Sequence, residues 1–415
     1  MTVHPTTPRR HRILALALTA ALGVTLSACA ATAAPAHPRS PLAELARQAV
    51  DAGVPGVIVR VDDGHHPLTI ADQAPWSMAD HRLTAGDGFR MGSNTKTMVA
   101  TLVLQLVAEH RLALTDPVER WLPGLVPNGS AITVRMLLDH TSGLANYLYT
   151  PAVLAAFTGQ DAHRWTPDEL LAAGTAQPAL FAPGARFSYS NTNYIALGLI
   201  LQKATGQSLG DLIQQRIAGP LHLHDTHLPT TGTADPHLAH GYEPDAAHLA
   251  PLLPQGTPPG TSFAGPHRGP ADVDTTVVNQ STLWAAGGIV STAEDWARFD
   301  SALLSGKLLP AAQLAEMRTT VPEDPDTPNG DGYGLGLRKV VLPCGTVWGH
   351  DGQAAGYSSE TYTDGSGTRT VAVLTATVFD LARPQAAAAH RALVDAAVCA
   401  MFDRPLPAAP SPSAR

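Results

Sequence analysis

Apolar positions recur along the chain with two different periods, and the period changes from region to region. Near the start, Leu42, Leu45, Ala46 and Val50 fall on one helical face, which predicts a helix over Pro41 to Ala52. Gly56 to Asp62 reads as a strand, with Pro67 to Ala71 as its hairpin partner across Asp63-Gly64-His65-His66. From Phe89 to Arg111 a turn gives way to a helix in which Met98, Leu102 and Leu106 align, with Val99, Val103 and Val107 beside them. The middle of the chain is helical and rich in loops. Ile132 to Leu144 is expected to be a helix ended by a glycine, and Thr166-Pro167-Asp168-Glu169 opens another. Phe187 to Lys203 contains a further helix, Leu209 to Ile217 is one stopped by Gly219-Pro220, and Glu294 to Leu304 is the next. Residues 229–275 have no period and are rich in Pro, Gly, Thr and His, so they read as a long loop.

After residue 330 the period returns to that of strands, over Arg338 to Val341, Thr346 to His350, Glu360 to Thr363 and Thr368 to Thr377. Pro384 to Phe402 is an Ala-rich helix. Strands early and late with helices between them predict an α+β fold, in which an all-helical insertion divides a sheet domain. The expected bounds are 37–110 with 330–404 for the sheet domain, 111–329 for the helical domain, and 405–415 for a disordered tail.

Composition adds export. Arg9, Arg10 and Arg12 precede an apolar run from Ile13 to Leu26 that is short for a membrane span, so residues 1–36 read as a targeting segment. Leu26-Ser27-Ala28-Cys29 looks like a lipobox, which would make Cys29 a lipid-carrying mature N-terminus. Cleavage after Ala31-Thr32-Ala33 or Ala34-Pro35-Ala36 is the competing reading. Either way the expectation is an exported protein, extracellular or in the cell envelope. In that compartment Cys344 and Cys399 are expected to pair, the alternative being two buried thiols. With 415 residues and a net charge of −8, the chain can bury a sizeable core, and nucleic acid is not an expected partner.

The candidate chemistry begins at Ser93. It lies where a helix starts, among free backbone N–H groups, and Lys96 is one turn on along the same face. A serine so placed suits a nucleophile whose product is an oxyanion, and a buried lysine of lowered pKa can take its proton. A capping serine beside a solvated lysine is the bland alternative. Only four of the 27 Lys and Arg residues are lysine, and one of the four stands here. Arg could not replace it as a base.

Two further motifs follow. In Tyr189-Ser190-Asn191 the phenol is expected to relay protons, with a pKa lowered by nearby cations, and Asn191 to bind a substrate amide with both donor and acceptor. In His350-Asp351-Gly352, His350 is expected to face the nucleophile across a cleft, and Gly352 to let a substrate backbone lie close. His222-Leu223-His224-Asp225-Thr226-His227 approaches a metallohydrolase signature, but Thr226 occupies the place of the needed Asp, so a surface turn is preferred. No metal and no cofactor is expected.

The three motifs occur in order, framed by Ile132-Thr133-Val134-Arg135 to Gly143-Leu144, Gly287-Gly288-Ile289-Val290-Ser291-Thr292 and Tyr333-Gly334-Leu335-Gly336. Over roughly residues 41–402 the chain resembles the serine beta-lactamase and D-alanyl-D-alanine carboxypeptidase family, and within it the soluble DD-peptidases, which carry His-x-Gly as the third motif. The resemblance implies a five-stranded antiparallel sheet between helices, an all-helical lobe, and a site in the cleft between them. It implies that Ser93 is acylated, that Lys96 and Tyr189 move protons, and that the backbone N–H groups of Ser93 and Gln353 form an oxyanion hole. It also implies that Arg338 anchors a substrate carboxylate. Asp351 departs from the family pattern, where Thr or Ser is common; strand alternation would turn its side chain away from the cleft. The implied substrate is a peptidoglycan stem peptide or a beta-lactam, handled by a monomer. An esterase or amidase on another small acyl substrate, and a non-catalytic binder of penicillin or muropeptide, are the competing readings.

Overall fold

Ser40 accepts a hydrogen bond from the Ala43 amide and opens α1 (Pro41–Asp51), which lays Leu42, Ala46 and Ala49 onto a sheet. The computed structural model describes residues 40–229, 237–253, 257–258, 260–324 and 330–405. The export segment with Cys29, and residues 406–415, lie outside the described residues. The chain from Ser40 onward forms one compact unit.

The sheet is antiparallel and has seven strands, two more than expected. They are β1 (Gly56–Asp62), β2 (Leu68–Gln73), β3 (Gly332–Tyr333), β4 (Arg338–Leu342), β5 (Gly345–Ala354), β6 (Tyr357–Thr363) and β7 (Thr370–Thr375), in the order β2-β1-β7-β6-β5-β4-β3. Alternation along the strands sends side chains into two cores. Val57, Val59 and Val61 of β1, with Val371 and Val373 of β7, pack against α1 and the C-terminal helix α6 (Pro384–Met401). Ile58, Ala372 and Leu374 face the other way, onto α2 (Thr95–Ala108) and α5 (Ala293–Leu304). Cys344, in the turn between β4 and β5, is bonded to Cys399 of α6.

The middle region packs α3 (Pro167–Thr175) against α4 (Asn191–Thr205). A capping box of Thr166 and Glu169 starts α3 as the sequence suggests. Three expectations need correction. The helix read over Ile132 to Leu144 covers only Val134–Leu138, because His140 adopts a left-handed φ of +59 before Gly143 is reached. The Gly219-Pro220 stop is absent: the chain runs through one more turn, Gly219–Leu221, and ends at His222, φ +54. The 229–275 region holds a small sheet of its own, Tyr242–Pro244, His267–Arg268 and Asp272–Asp274, so the insertion is not all helical.

Candidate active site

Ser93 sits in a single tight turn, Gly92–Asn94, that leads into α2. Gly92 has φ +51, and a Cβ on it would lie 2.4 Å from the Gln353 backbone nitrogen. Gly352 meets the same constraint from the other side: a Cβ there would lie 2.0 Å from the Met91 carbonyl oxygen. The two backbones therefore cross in contact, and only glycine fits at the crossing. This corrects the role given to Gly352, since the space it leaves is filled by Met91 rather than by substrate. The crossing sets Ser93 beside Gln353. β5 pairs with β4 only as far as Gly349, and with β6 through a hairpin closed at Ala354 and Tyr357. By ladder alternation the Gln353 N–H points to the open edge, where an oxyanion would sit.

Lys96 is fully buried on the first turn of α2. Its Nζ lies 2.9 Å from Ser93 Oγ, 2.8 Å from Asn191 Oδ1 and 2.5 Å from the Ala286 carbonyl. The last two are pure acceptors and take two N–H bonds. A neutral amine then has its lone pair left for the Ser93 hydroxyl. Burial pushes the Lys96 pKa well below its ordinary value, with Asp351 opposing weakly, so that state is accessible. Ala286 reaches Lys96 because Gly198 of α4 lets Trp284 and Ala285 approach: a Cβ on Gly198 would meet both at 2.7 Å.

Asn191 opens α4 and is buried. Its Oδ1 accepts from Lys96, which takes one of the two lone pairs, so the oxygen that was expected to serve substrate also serves to position the base. Tyr189 also departs from expectation. Its hydroxyl is out of solvent with no hydrogen bond of normal geometry. Burial raises its pKa well above the ordinary value and Ser93 offsets this in part, while Lys96 Nζ lies 4.9 Å from the ring centroid. Tyr189 is thus a neutral phenol, a proton donor beside the nucleophile, and Lys96 is the base.

His350 does not line the cleft as a free group. It is 2 % exposed and both ring nitrogens are engaged. The direction of its bonds follows from His140, whose Nδ1 accepts from the Ser190 amide (3.2 Å) and from Asn193 Nδ2 (3.0 Å). His140 Nε2–H therefore donates to Tyr333 Oη (3.3 Å), Tyr333 donates to His350 Nε2 (2.9 Å), and His350 Nδ1–H donates to the Asp351 carbonyl (2.5 Å). Burial lowers both histidines, His350 to about 4, so both are neutral. His350 holds the edge strand in place; it supplies no positive charge.

Arg338 is already occupied. Its Nε and Nη2 donate to the two oxygens of Glu323, both at 2.9 Å, and its Nη1 donates to Asp351. Asp351 pairs with Glu360, which bonds His390 of α6, so its side chain leaves the sheet on the face opposite Ser359 and Thr361, as alternation expects; from there its carboxylate takes the guanidinium of Arg338 on the neighbouring β4. The sequence reading missed His140, Tyr333, Glu323 and Ala286. Tyr333 and His140 stood inside quoted framing motifs, Glu323 lies in an irregular segment, and Ala286 acts through its backbone, for which no side-chain signal exists. Among the described residues one trio has metal-ligand spacing, Asp80, His240 and Asp274. Its atoms are taken by the pairs Asp80 with Arg268 (2.6 Å) and His240 with Asp274 (2.8 Å).

Residues 42–396 match the family model described as Beta-lactamase. Among solved structures, the chain is similar to the D-stereospecific amidohydrolase of Streptomyces sp., 36% identical, covering 86% of this chain and 99% of that one, TM-score 0.72. It is also similar to the D-amino acid amidase of Ochrobactrum anthropi SV3, 26% identical over 87% of this chain and 98% of that one, TM-score 0.74. A putative penicillin-binding protein, PbpX of Bacillus subtilis, is 28% identical over 60% of this chain and 53% of its own length. The esterase EstB of Burkholderia gladioli is 40% identical over 33% of this chain and 37% of its own length. The chain thus spans about half or less of these two curated relatives.

Proposed function

The chain belongs to the beta-lactamase family and is a serine hydrolase, and on that premise we propose that it is an amidohydrolase and esterase, moving a small D-configured aminoacyl group from an amide or ester to Ser93 and then to water. The observation that carries the reading is the buried Lys96 amine, 2.9 Å from Ser93 Oγ with its other two directions held by acceptors. In acylation Lys96 takes the hydroxyl proton as Ser93 Oγ bonds to the acyl carbon. The amides of Ser93 and Gln353 meet the developing oxyanion. Tyr189 passes a proton to the departing atom and is restored from Lys96. Water repeats the sequence in deacylation.

The D-configured aminoacyl class is supported by the names of the structural relatives, a D-stereospecific amidohydrolase and a D-amino acid amidase. A D-alanyl-D-alanine carboxypeptidase acting on peptidoglycan stem peptides is the second reading, favoured by the penicillin-binding relative. We also propose an exported place of work, which the Cys344–Cys399 bond supports. The test is a turnover panel of D- and L-phenylalanine amides, short acyl esters and an acyl-D-Ala-D-Ala peptide. The expected result is cleavage of the D-amide over the L-amide by about tenfold or more. Cleavage of the peptide alone would move the assignment to carboxypeptidase.

A further inference from the structure

We propose that Glu323 and Asp351 set the specificity of this site by masking Arg338, so that the enzyme takes substrates whose departing half is neutral or cationic and rejects those that leave as a carboxylate. The inference rests on the reading of Ser93 as the acylated nucleophile and adds the charge class of the leaving group.

Arg338 lies on β4 opposite Gly349, next to the third motif, and remains 26% exposed. A guanidinium there suits a carboxylate presented as a fork. The fork is already filled, because Glu323 binds it through both oxygens and Asp351 takes the remaining terminal nitrogen. A substrate carboxylate would have to displace a group of its own chemistry and would gain nothing by doing so. Charge adds to this obstruction. One guanidinium stands between two carboxylates, and the neighbouring His350 is neutral, so the cluster carries one net negative charge. Asp351 is 40% exposed and Glu323 23% exposed, so an arriving group meets that charge directly.

Asp351 lies two residues before Gln353, whose N–H meets the oxyanion, on the stretch of β5 that β4 leaves unpaired, so the cluster stands at the open edge of the site. Tyr189, whose hydroxyl is beside Ser93, is the donor to the departing atom, and Asp351 and Arg338 are among the charges that act on its phenol. When the Ser93 Oγ–carbon bond forms and the bond to the departing atom breaks, the Tyr189 proton ends on that atom and the Ser93 proton, taken by Lys96, restores Tyr189. The remainder of the leaving group then extends toward the Asp351–Arg338 pair. A leaving group ending in a carboxylate meets repulsion there, and one ending in an amide, ester or amine does not.

The probes are meta-acetoxybenzoate and its methyl ester, which share an acetyl group and differ in leaving-group charge. The wild type is expected to favour the methyl ester in kcat/KM by about tenfold or more, and the preference should shrink as salt is raised. Glu323→Gln and Asp351→Thr should each narrow the ratio. The double variant should narrow it about tenfold or more, and adding Arg338→Ala should remove that gain. Equal rates in the wild type, a salt-independent ratio, a double variant with the wild-type ratio, or a gain that persists without Arg338 would each overturn the proposal. If the double variant does not fold, the wild-type ratio and its salt dependence still decide. Failure of the D-aminoacyl reading is separately visible: D-amides would go uncut while the acetyl esters still report charge selection.

Discussion

At the scale of the residue, the site depends on how many hydrogen-bond positions each group has. Lys96 has three directions, and Asn191 Oδ1 and the Ala286 carbonyl hold two of them. The third faces Ser93 Oγ, and it can accept the hydroxyl proton only if the amine gives up its extra proton; an ammonium would donate there instead. Lys96→Arg keeps a cation in place but cannot accept a proton. It is expected to lower kcat by about a hundredfold or more, read in steady-state turnover of any substrate that the wild type cleaves, with circular dichroism and a denaturant unfolding curve as checks on folding. The Ser93–Lys96 pair was legible in the sequence because both its roles are played by side chains at fixed helical spacing. The partners that tune it were not, since Ala286 contributes a carbonyl and Asn191 changes its role through a contact 95 residues away along the chain. Direction of bonding was equally hidden: the orientation of His350 is set by the Ser190 amide through His140 and Tyr333.

At the scale of the element, α2 and α5 press on one face of the sheet, and polar groups are buried between them. Asn94 donates to Ser359 Oγ (2.8 Å), Thr361 donates to Asn94 Oδ1 (2.7 Å), and Ser359 donates to the Met91 carbonyl (2.9 Å). This network ties the Ser93 turn to β6. Asp300 of α5 lies behind it, 2% exposed, with a carboxyl that burial pushes up to about 8 while Thr361 pulls it down. The sign follows from linkage. A carboxyl raised above its unfolded value keeps its proton in the folded state, so its contribution is full below the unfolded pKa and is lost as pH rises toward the folded one. Between pH 4 and 8 Asp300 should therefore cost stability with rising pH. Asp300→Asn removes that titration and should flatten the curve by up to about 1.4 kcal/mol per pH unit, measured by denaturant unfolding at several pH values. An unchanged slope would mean that Asp300 ionises freely. Strands and helices were legible where one face is buried, as in Val371 and Val373 of β7. They were misread where a local conformation overrode the pattern: His140 ends a helix at a positive φ, held by bonds from Ser190 and Asn193 that no window of sequence shows.

At the scale of the whole molecule, the parts that form the site come from both ends of the chain. Ser93 and Lys96 precede the helical region, Tyr189 and Asn191 lie within it, and Gln353 returns on the sheet edge. The Cys344–Cys399 bond closes a loop of 55 residues at the other end of β5. A loop of this size stabilises by about 3–4 kcal/mol in the chain-entropy account. It fastens the turn leading into β5 to α6, and so steadies the strand that carries Gln353. Order of motifs along the chain was enough to predict that these segments meet. It was not enough to predict the charge at the meeting place, because Glu323 stands in no motif and Asp351 was read by strand alternation alone. The central claim is that all these segments converge to make Ser93 an acyl acceptor. It is tested most directly by mass spectrometry of protein quenched during turnover of an activated D-aminoacyl ester, followed by peptide mapping. The account predicts one acyl group, on the peptide containing Ser93, absent in Ser93→Ala together with turnover. An adduct on another residue, or hydrolysis that survives in Ser93→Ala, would contradict it.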